Sequence, residues 1–111
     1  MSLGQLGSWP PGGNVTVVLS RSPDADLVMS EICESAGPTN EKPPERHKQE
    51  FDRLRRAGAL VLVPNATPIL VIEDAGTSSH ELSSFTFRRG PLRGKPGWAC
   101  PSAVKLYHAF P

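Results

Sequence analysis

The sequence predicts a small α/β or α+β protein whose core has the element order β-α-α-β-β. Three short apolar runs, at residues 14–20, 59–63 and 69–73, are rich in β-branched side chains and predict strands. Two segments with apolar residues at helical spacing lie between the first run and the second. One layer of strands covered by helices therefore fits residues 14–76.

The segment after the first strand carries the strongest helix signals in the chain. Ser22 is a suitable N-cap and Pro23 suits the first helical position. Asp24 and Asp26 place negative charge in the first turn, where the helix dipole favours it. The Gly-Pro pair at 37–38 predicts the end of the helix. Its apolar face is predicted to consist of Ala25, Val28, Met29, Ile32 and Ala36.

A second helix is predicted from about Pro44 to the Ala-Gly pair at 57–58. Its apolar stripe is narrow and contains little beyond Phe51 and Leu54. Charged residues fill the other positions, and several lie four residues apart, where opposite charges attract. We therefore expect a largely solvated helix that packs along one edge.

The last two predicted strands are separated by a short polar segment. Residues 64–68 contain two prolines and an asparagine, which is typical of a hairpin loop. Beyond Gly76 the periodic signal fades, and only residues 84–88 suggest one more short strand.

Composition divides the chain into three parts. Residues 1–13 are predicted to be a flexible, disordered Gly/Pro-rich N-terminal leader, residues 14–76 the small α/β core, and residues 77–111 a largely irregular Ser/Gly/Pro-rich tail. The chain has 10 glycines and 12 prolines in 111 residues, well above the usual combined share of roughly 12%. A chain this short buries a limited fraction of its surface, so we expect a partly disordered protein of marginal stability.

Charge is distributed unevenly along the chain. Residues 1–81 hold seven Lys and Arg against eleven Asp and Glu, whereas residues 82–111 hold five basic residues and no acid. Aromatic and basic residues alternate in this basic C-terminal tail, which is typical of surfaces that bind acidic proteins or single-stranded nucleic acid. The predicted partner-binding residues are Phe87, Arg88, Arg89, Arg93, Lys95 and Trp98.

The sequence predicts a small soluble protein that is not an enzyme. It contains no phosphate-binding glycine loop, no nucleophile-elbow motif and no closely spaced Cys or His pairs. We therefore expect no cofactor, no bound metal and no small-molecule substrate. No segment approaches the roughly 20 apolar residues of a membrane helix, so no membrane partner is expected.

Two alternatives stay open at this stage. Asp24, Asp26, Glu73 and Asp74 follow the carboxyl ends of two predicted strands, where an open α/β sheet binds ligands. These carboxylates could hold Mg²⁺ in a fragment-like ligand- or metal-binding domain. The second alternative is a poorly folding chain with no defined function, which the high Pro and Gly content permits.

The two cysteines bear on the compartment. Cys33 and Cys100 are far apart, and a disulfide framework in a small secreted protein usually needs four or more cysteines. The sequence thus predicts two free thiols. The N-terminus has no positive segment followed by an apolar run, so we expect a cytoplasmic or nuclear protein that is not secreted.

Overall fold

A computed structural model of the chain describes residues 2–7, 13–35, 45–75 and 81–107. These residues form an α+β fold of seven strands and two helices. The strands are β1 (Ser2–Leu6), β2 (Asn14–Val18), β3 (Leu60–Pro64), β4 (Thr67–Glu73), β5 (Ser83–Phe87), β6 (Pro96–Ala99) and β7 (Val104–Leu106). The helices are α1 (Pro23–Ser35) and α2 (Lys48–Arg56), and short 3₁₀ turns occupy Glu45–His47 and Pro101–Ala103.

All seven strands belong to one antiparallel sheet. Their spatial order is β3-β2-β6-β5-β4-β1-β7, and every pair of neighbouring strands is antiparallel. This pattern is that of an α+β protein rather than of a parallel α/β sheet. Between residues 14 and 73 the elements follow as β2, α1, α2, β3 and β4, but β4 pairs with β1 and β5 rather than with β2 or β3.

The connection between β3 and β4 differs from the predicted hairpin. The two strands meet at a two-residue turn, Asn65–Ala66, yet they do not pair with each other. Instead the Ala66 N–H donates to the Leu6 carbonyl at 2.6 Å, and the Asn65 N–H donates to the Gly13 carbonyl at 3.2 Å. Since one turn joins an edge strand to an interior strand, the sheet must curl so that their ends meet.

Helix α1 begins as the sequence predicts. The Ala25 N–H donates to Ser22 Oγ at 3.1 Å, so Ser22 caps the first turn. Arg21 pairs with Asp26 at 3.0 Å across the same turn. The described part of the predicted apolar face is fully buried and consists of Ala25, Val28, Met29 and Ile32. Burial of this face fixes the helix in the fold.

Helix α2 contacts α1 and β3 through a narrow apolar edge. Phe51 and Leu54 are its only buried residues, which matches the thin stripe in the sequence. On the outside, Arg53 pairs with Asp24 at 3.2 Å and so connects the two helices. No helix in the described part of the chain is long and apolar enough to cross a membrane.

At β2 the core lies on both faces of the sheet, because residues 15–18 are all buried and successive side chains alternate between the faces. Cross-strand pairing places Phe87 opposite Ile69, and Phe85 opposite Val71, so these four side chains share one face. Val17 lies on the same face, because a Cβ on Gly97 would touch both Val17 and Phe85. The helices contribute their apolar stripes to the same continuous cluster of buried residues.

The predicted leader and tail contribute four strands to this sheet. Residues 2–6 form β1, which lies inside the sheet between β4 and β7 and buries Leu6 completely. Residues 83–106 supply β5, β6 and β7, including the short strand expected near 84–88. Residues 1, 8–12, 77–80 and 108–111 of the predicted leader and tail lie outside the described residues. Within the described ranges, the sheet extends beyond the predicted boundaries of 14 and 76.

The two cysteines form a disulfide, so the prediction of two free thiols is wrong. Cys33 lies in the last turn of α1 and Cys100 directly follows β6; their Cα atoms are 5.5 Å apart. The sequence pattern did not reveal this pair, because the two positions are 67 residues apart in the chain. The fold brings them together by placing α1 beside the sheet.

Candidate partner-binding surface

The connection between β5 and β6 gathers most of the positive charge of the C-terminal part of the chain. We call residues 88–95 the basic loop. Arg88, Arg89, Arg93 and Lys95 are all exposed there, and no acidic residue lies in the loop. None of the four makes an ion pair with a carboxylate of the described residues. The loop therefore presents four cations at one end of the sheet.

Hydrogen bonds to the end of β5 fix the shape of the basic loop. The Gly94 N–H donates to the Phe87 carbonyl at 2.8 Å, and the Phe87 N–H donates to the Lys95 carbonyl at 3.1 Å. Within the loop, the Arg93 N–H donates to the Gly90 carbonyl at 3.1 Å. Gly90 and Gly94 adopt φ of 78° and 80°, which glycine tolerates without strain. The backbone that carries the cations is thus held in one turn conformation.

An apolar cavity of about 320 Å³, which we call the tip cavity, adjoins the basic loop. It opens between the loop and the turn that joins β3 to β4. Among the residues that the structure describes, its lining is mostly apolar and Arg89 is the one charged residue. The lining residues are Val63, Pro64, Thr67, Pro68, Phe87, Arg89, Gly90, Pro91 and Leu92. A ligand here would meet a positive charge beside an apolar recess.

The six predicted partner-binding residues separate into two groups. Four are the exposed cations of the basic loop. Phe87 is only 3% exposed and packs edge-to-face against Phe85, with ring centroids 5.4 Å apart. Trp98 is half-buried on the opposite face of the sheet, because Gly97 pairs with Phe85 and successive side chains alternate. The guanidinium of Arg21 lies over the Trp98 ring, 5.8 Å from its centroid.

The apolar lining of the tip cavity gave no signal in the sequence. Pro64 and Pro68 were assigned to a loop, and Leu92 lies alone among glycines and charges. The curled sheet brings them together, since the Arg88 N–H donates to the Pro68 carbonyl at 3.3 Å. These apolar residues form one surface only because the fold packs the β3–β4 turn against the basic loop.

Three of the four carboxylates of the metal-binding alternative have partners at separate places, and the fourth, Glu73, is exposed at the end of β4. Asp26 pairs with Arg21, and Asp24 pairs with Arg53. Ser83 Oγ donates to Asp74 at 3.1 Å. In the part of the chain that is described, no three His, Cys, Asp or Glu side chains come close enough to hold a metal ion. The fold therefore does not assemble these described carboxylates into a ligand set.

One ion pair on α2 shifts the pKa of both of its members. Arg53 donates a hydrogen bond to Glu50, and this bond, with the attraction of the positive charge, holds the pKa of Glu50 below its ordinary value of 4.5. The same contact raises the pKa of Arg53. Both side chains lie at the surface, so the pair is an ordinary solvated contact. It gives no indication of acid–base chemistry.

Comparison with known proteins gives no match: no family model, no curated protein and no solved structure matches this chain. A functional argument therefore depends on the charge, shape and chemistry of the surface itself. The basic loop with its tip cavity is the feature that combines exposed charge with an apolar recess.

Proposed function

We propose that this chain is a non-catalytic binding protein whose basic loop holds an acidic segment of a partner protein. The observation that carries the proposal is the position of four exposed cations beside the apolar tip cavity. Charge attracts an acidic segment and sets its orientation, while one apolar side chain of the partner enters the recess. The ordered turn of the loop favours binding, because little conformational entropy is lost.

The low accessibility of the aromatic ring faces favours a protein ligand over single-stranded nucleic acid. Binding of unpaired bases depends on exposed aromatic faces on which the bases stack. Phe85 and Phe87 are buried, and Arg21 already lies over one face of Trp98. The surface offers cations and an apolar recess but few stacking platforms. The experiment must therefore distinguish binding of single-stranded nucleic acid from binding of an acidic peptide.

The compartment is part of the same proposal. The sequence predicts a cytoplasmic or nuclear protein, but a disulfide persists mainly in oxidising environments. The Cys33–Cys100 bond therefore favours an oxidising compartment for this chain and its partner. We expect the binding measurements to need non-reducing buffer.

The binding experiment uses a capped probe peptide, Glu-Glu-Val-Thr-Val-Glu-Glu, and ¹⁵N-labelled full-length protein. We expect amide shifts centred on residues 88–95 and affinity that falls with added salt, because the attraction between exposed charges is screened. Changing Arg88, Arg89 and Arg93 to Gln should weaken binding about tenfold, at roughly 0.5 kcal/mol for each exposed pair. The salt dependence should become shallower.

A matched control removes three cations that line neither the basic loop nor its cavity: Arg21, Arg46 and Lys105 are changed to Gln. This variant has the same net charge as the loop variant, and it should keep the affinity of the unmodified chain. Equal affinity of the loop variant and the control would refute the proposal. Tighter binding of an oligothymidylate than of the acidic peptide would replace the protein partner with nucleic acid.

A further inference from the structure

Strand β3 is an edge strand without the usual protection against further pairing. Its sequence, Leu-Val-Leu-Val-Pro, contains no charge, and within the described residues only β2 pairs with it. Native sheets usually protect such an edge with charged side chains, a proline, a bulge or an added covering element. Pro64 is the only such feature on β3 and lies at its end. The edge is therefore open to an additional strand.

The register identifies which backbone groups of β3 face outward. The Leu19 N–H donates to the Ala59 carbonyl at 2.8 Å, and the Asn65 N–H donates to the Gly13 carbonyl at 3.2 Å. Bonding alternates along an antiparallel pair, so Val61 and Val63 also bond to β2. Consequently the N–H and C=O groups of Leu60 and Leu62 point away from the sheet.

An open groove runs along this outward edge. A cavity of about 580 Å³ separates β3 from the outer side of α2. Its lining residues are Asp52, Arg55, Arg56, Leu60, Val61 and Leu62. The cavity provides space beside the outward backbone groups for an extended chain.

The charges at this groove favour an acidic occupant. Arg55 lies over the Phe51 ring, 5.8 Å from its centroid, and neither Arg55 nor Arg56 pairs with a carboxylate of the described residues. Within the described part of the lining, the one acid is Asp52, and its carboxylate already lies 3.5 Å from Lys48 Nζ. The groove therefore has two arginines whose charge is not balanced locally.

Strand β3 extends from the groove at its first three residues to the tip cavity at its last two. Val63 and Pro64, at the far end of β3, line the tip cavity together with Arg89. The five residues of β3 span about 16 Å at 3.3 Å per residue. Cations therefore lie near both ends of the apolar edge of β3: Arg55 and Arg56 near one end, and Arg89 near the other.

We propose that the acidic segment of the partner binds as an added β-strand along the free edge of β3, an inference that rests on the proposed function. Its backbone would pair with Leu60 and Leu62, its acidic side chains would meet the cations at both ends, and its apolar side chains would enter the two cavities. A second copy of the chain fits less well. Pairing of β3 with β3 would bring two α2 helices together, and each carries four basic residues against two acidic ones.

Amide exchange measured by NMR tests this binding mode directly. In the free protein, the amides of Val61 and Val63 should exchange slowly and that of Leu62 faster, because only the first two bond to β2. Saturation with Glu-Glu-Val-Thr-Val-Glu-Glu should slow exchange at Leu62 by at least about tenfold. The same peptide with Lys in place of Glu should have no effect at matched concentration.

Leu62→Pro gives a second readout, because it removes an outward N–H and leaves the bonds to β2 in place. Loss of that bond should weaken peptide binding several-fold, at about 1 kcal/mol. Leu106→Pro is the matched control on the opposite edge strand. The Tyr107 N–H donates to the Leu3 carbonyl, and Leu106 pairs with Gly4, so the Leu106 N–H also faces outward. That control should keep full affinity.

The outcomes separate the two proposals. Shifts confined to residues 88–95, with Leu62 exchange unchanged, would leave the basic loop as the binding site and overturn strand addition. No shift at any residue would overturn both. Protection of Leu62 that rises with protein concentration in the absence of peptide would assign the edge to a second copy and overturn the inference. If Leu62→Pro does not fold, the exchange measurement at Leu62 of the unmodified chain tests strand addition by itself.

Discussion

Cys33 in the last turn of α1 is bonded to Cys100 directly after β6, so one covalent bond joins the helices to the middle of the sheet. Cys100 is completely buried, and its neighbours Ala99 and Ala103 are buried as well. Cys33 is half-buried against the same core, so the bond lies at the margin of the packed core. It closes a long loop that contains α2 and the strands β3, β4, β5 and β6.

Removing the disulfide should lower stability strongly. Closing a loop across 67 residues restricts the unfolded chain, which corresponds to about 4 kcal/mol on chain-entropy grounds. We expect Cys33→Ala with Cys100→Ala to lower the urea midpoint by the corresponding amount. A reducing agent should destabilise the unmodified chain to a similar degree and leave the double variant unaffected. Identical midpoints in all samples would show that the bond does not contribute.

Gly4→Ala should loosen the contact between β1 and β7. A Cβ at position 4 would overlap the carbonyl oxygen of Lys105, a backbone atom that cannot move without separating the strands. We expect a loss of about 1–3 kcal/mol of unfolding free energy in a denaturant titration. Ser2→Ala, at an exposed position in the same strand, should stay within about 0.5 kcal/mol of the unmodified chain. Equal stability of both variants would contradict the close strand approach.

The carboxyl group of Glu50 should titrate below its ordinary value of 4.5, because Arg53 donates a hydrogen bond to its charged form. A depressed folded-state pKa means that this contact stabilises the fold above the unfolded-state value and that the contribution is lost as the pH falls through the folded-state pKa. Side-chain carboxyl ¹³C shifts recorded against pH measure the value. Arg53→Gln should raise it toward 4.5.

Arg56→Gln is the matched control for this titration, since Arg56 also lies in the last turn of α2 but does not contact Glu50 in the described structure. It should leave the Glu50 titration in place. A Glu50 pKa at or above 4.5 in the unmodified chain would show that the contact with Arg53 does not persist in solution.

Local signals were sufficient for the elements between β2 and β4. Helix α1 follows from its cap at Ser22 and its apolar periodicity, and β2 and β3 follow from continuous apolar runs. By contrast, β1 has only two leucines among serine, glycine and glutamine, and β7 has three residues. Such segments become strands through pairing with distant partners, which single-sequence patterns do not contain.

The same difference between local and long-range information explains why only part of the candidate surface could be predicted. The charge asymmetry of the sequence identified Arg88, Arg89, Arg93 and Lys95, because charge patterning is local. The direction of an aromatic side chain depends on strand register, so Phe87 and Trp98 could not be assigned to opposite faces. The free edge of β3 depends on which strands pair across the whole sheet. The residues of β3 do not by themselves indicate that the strand lies at an edge.

The pairing of β1 with β7 also has a kinetic consequence. Gly4 lies opposite Leu106 and Leu6 opposite Val104, so the sheet brings together residues from opposite ends of the described chain. Non-local pairing of this kind requires the closure of long loops before contacts form, and it slows folding into the range of milliseconds to seconds. During synthesis, β1 can pair with β4 long before β7 has been made. The edge of β1 that later receives β7 is then exposed, and a chaperone or a second nascent chain could occupy it during that interval.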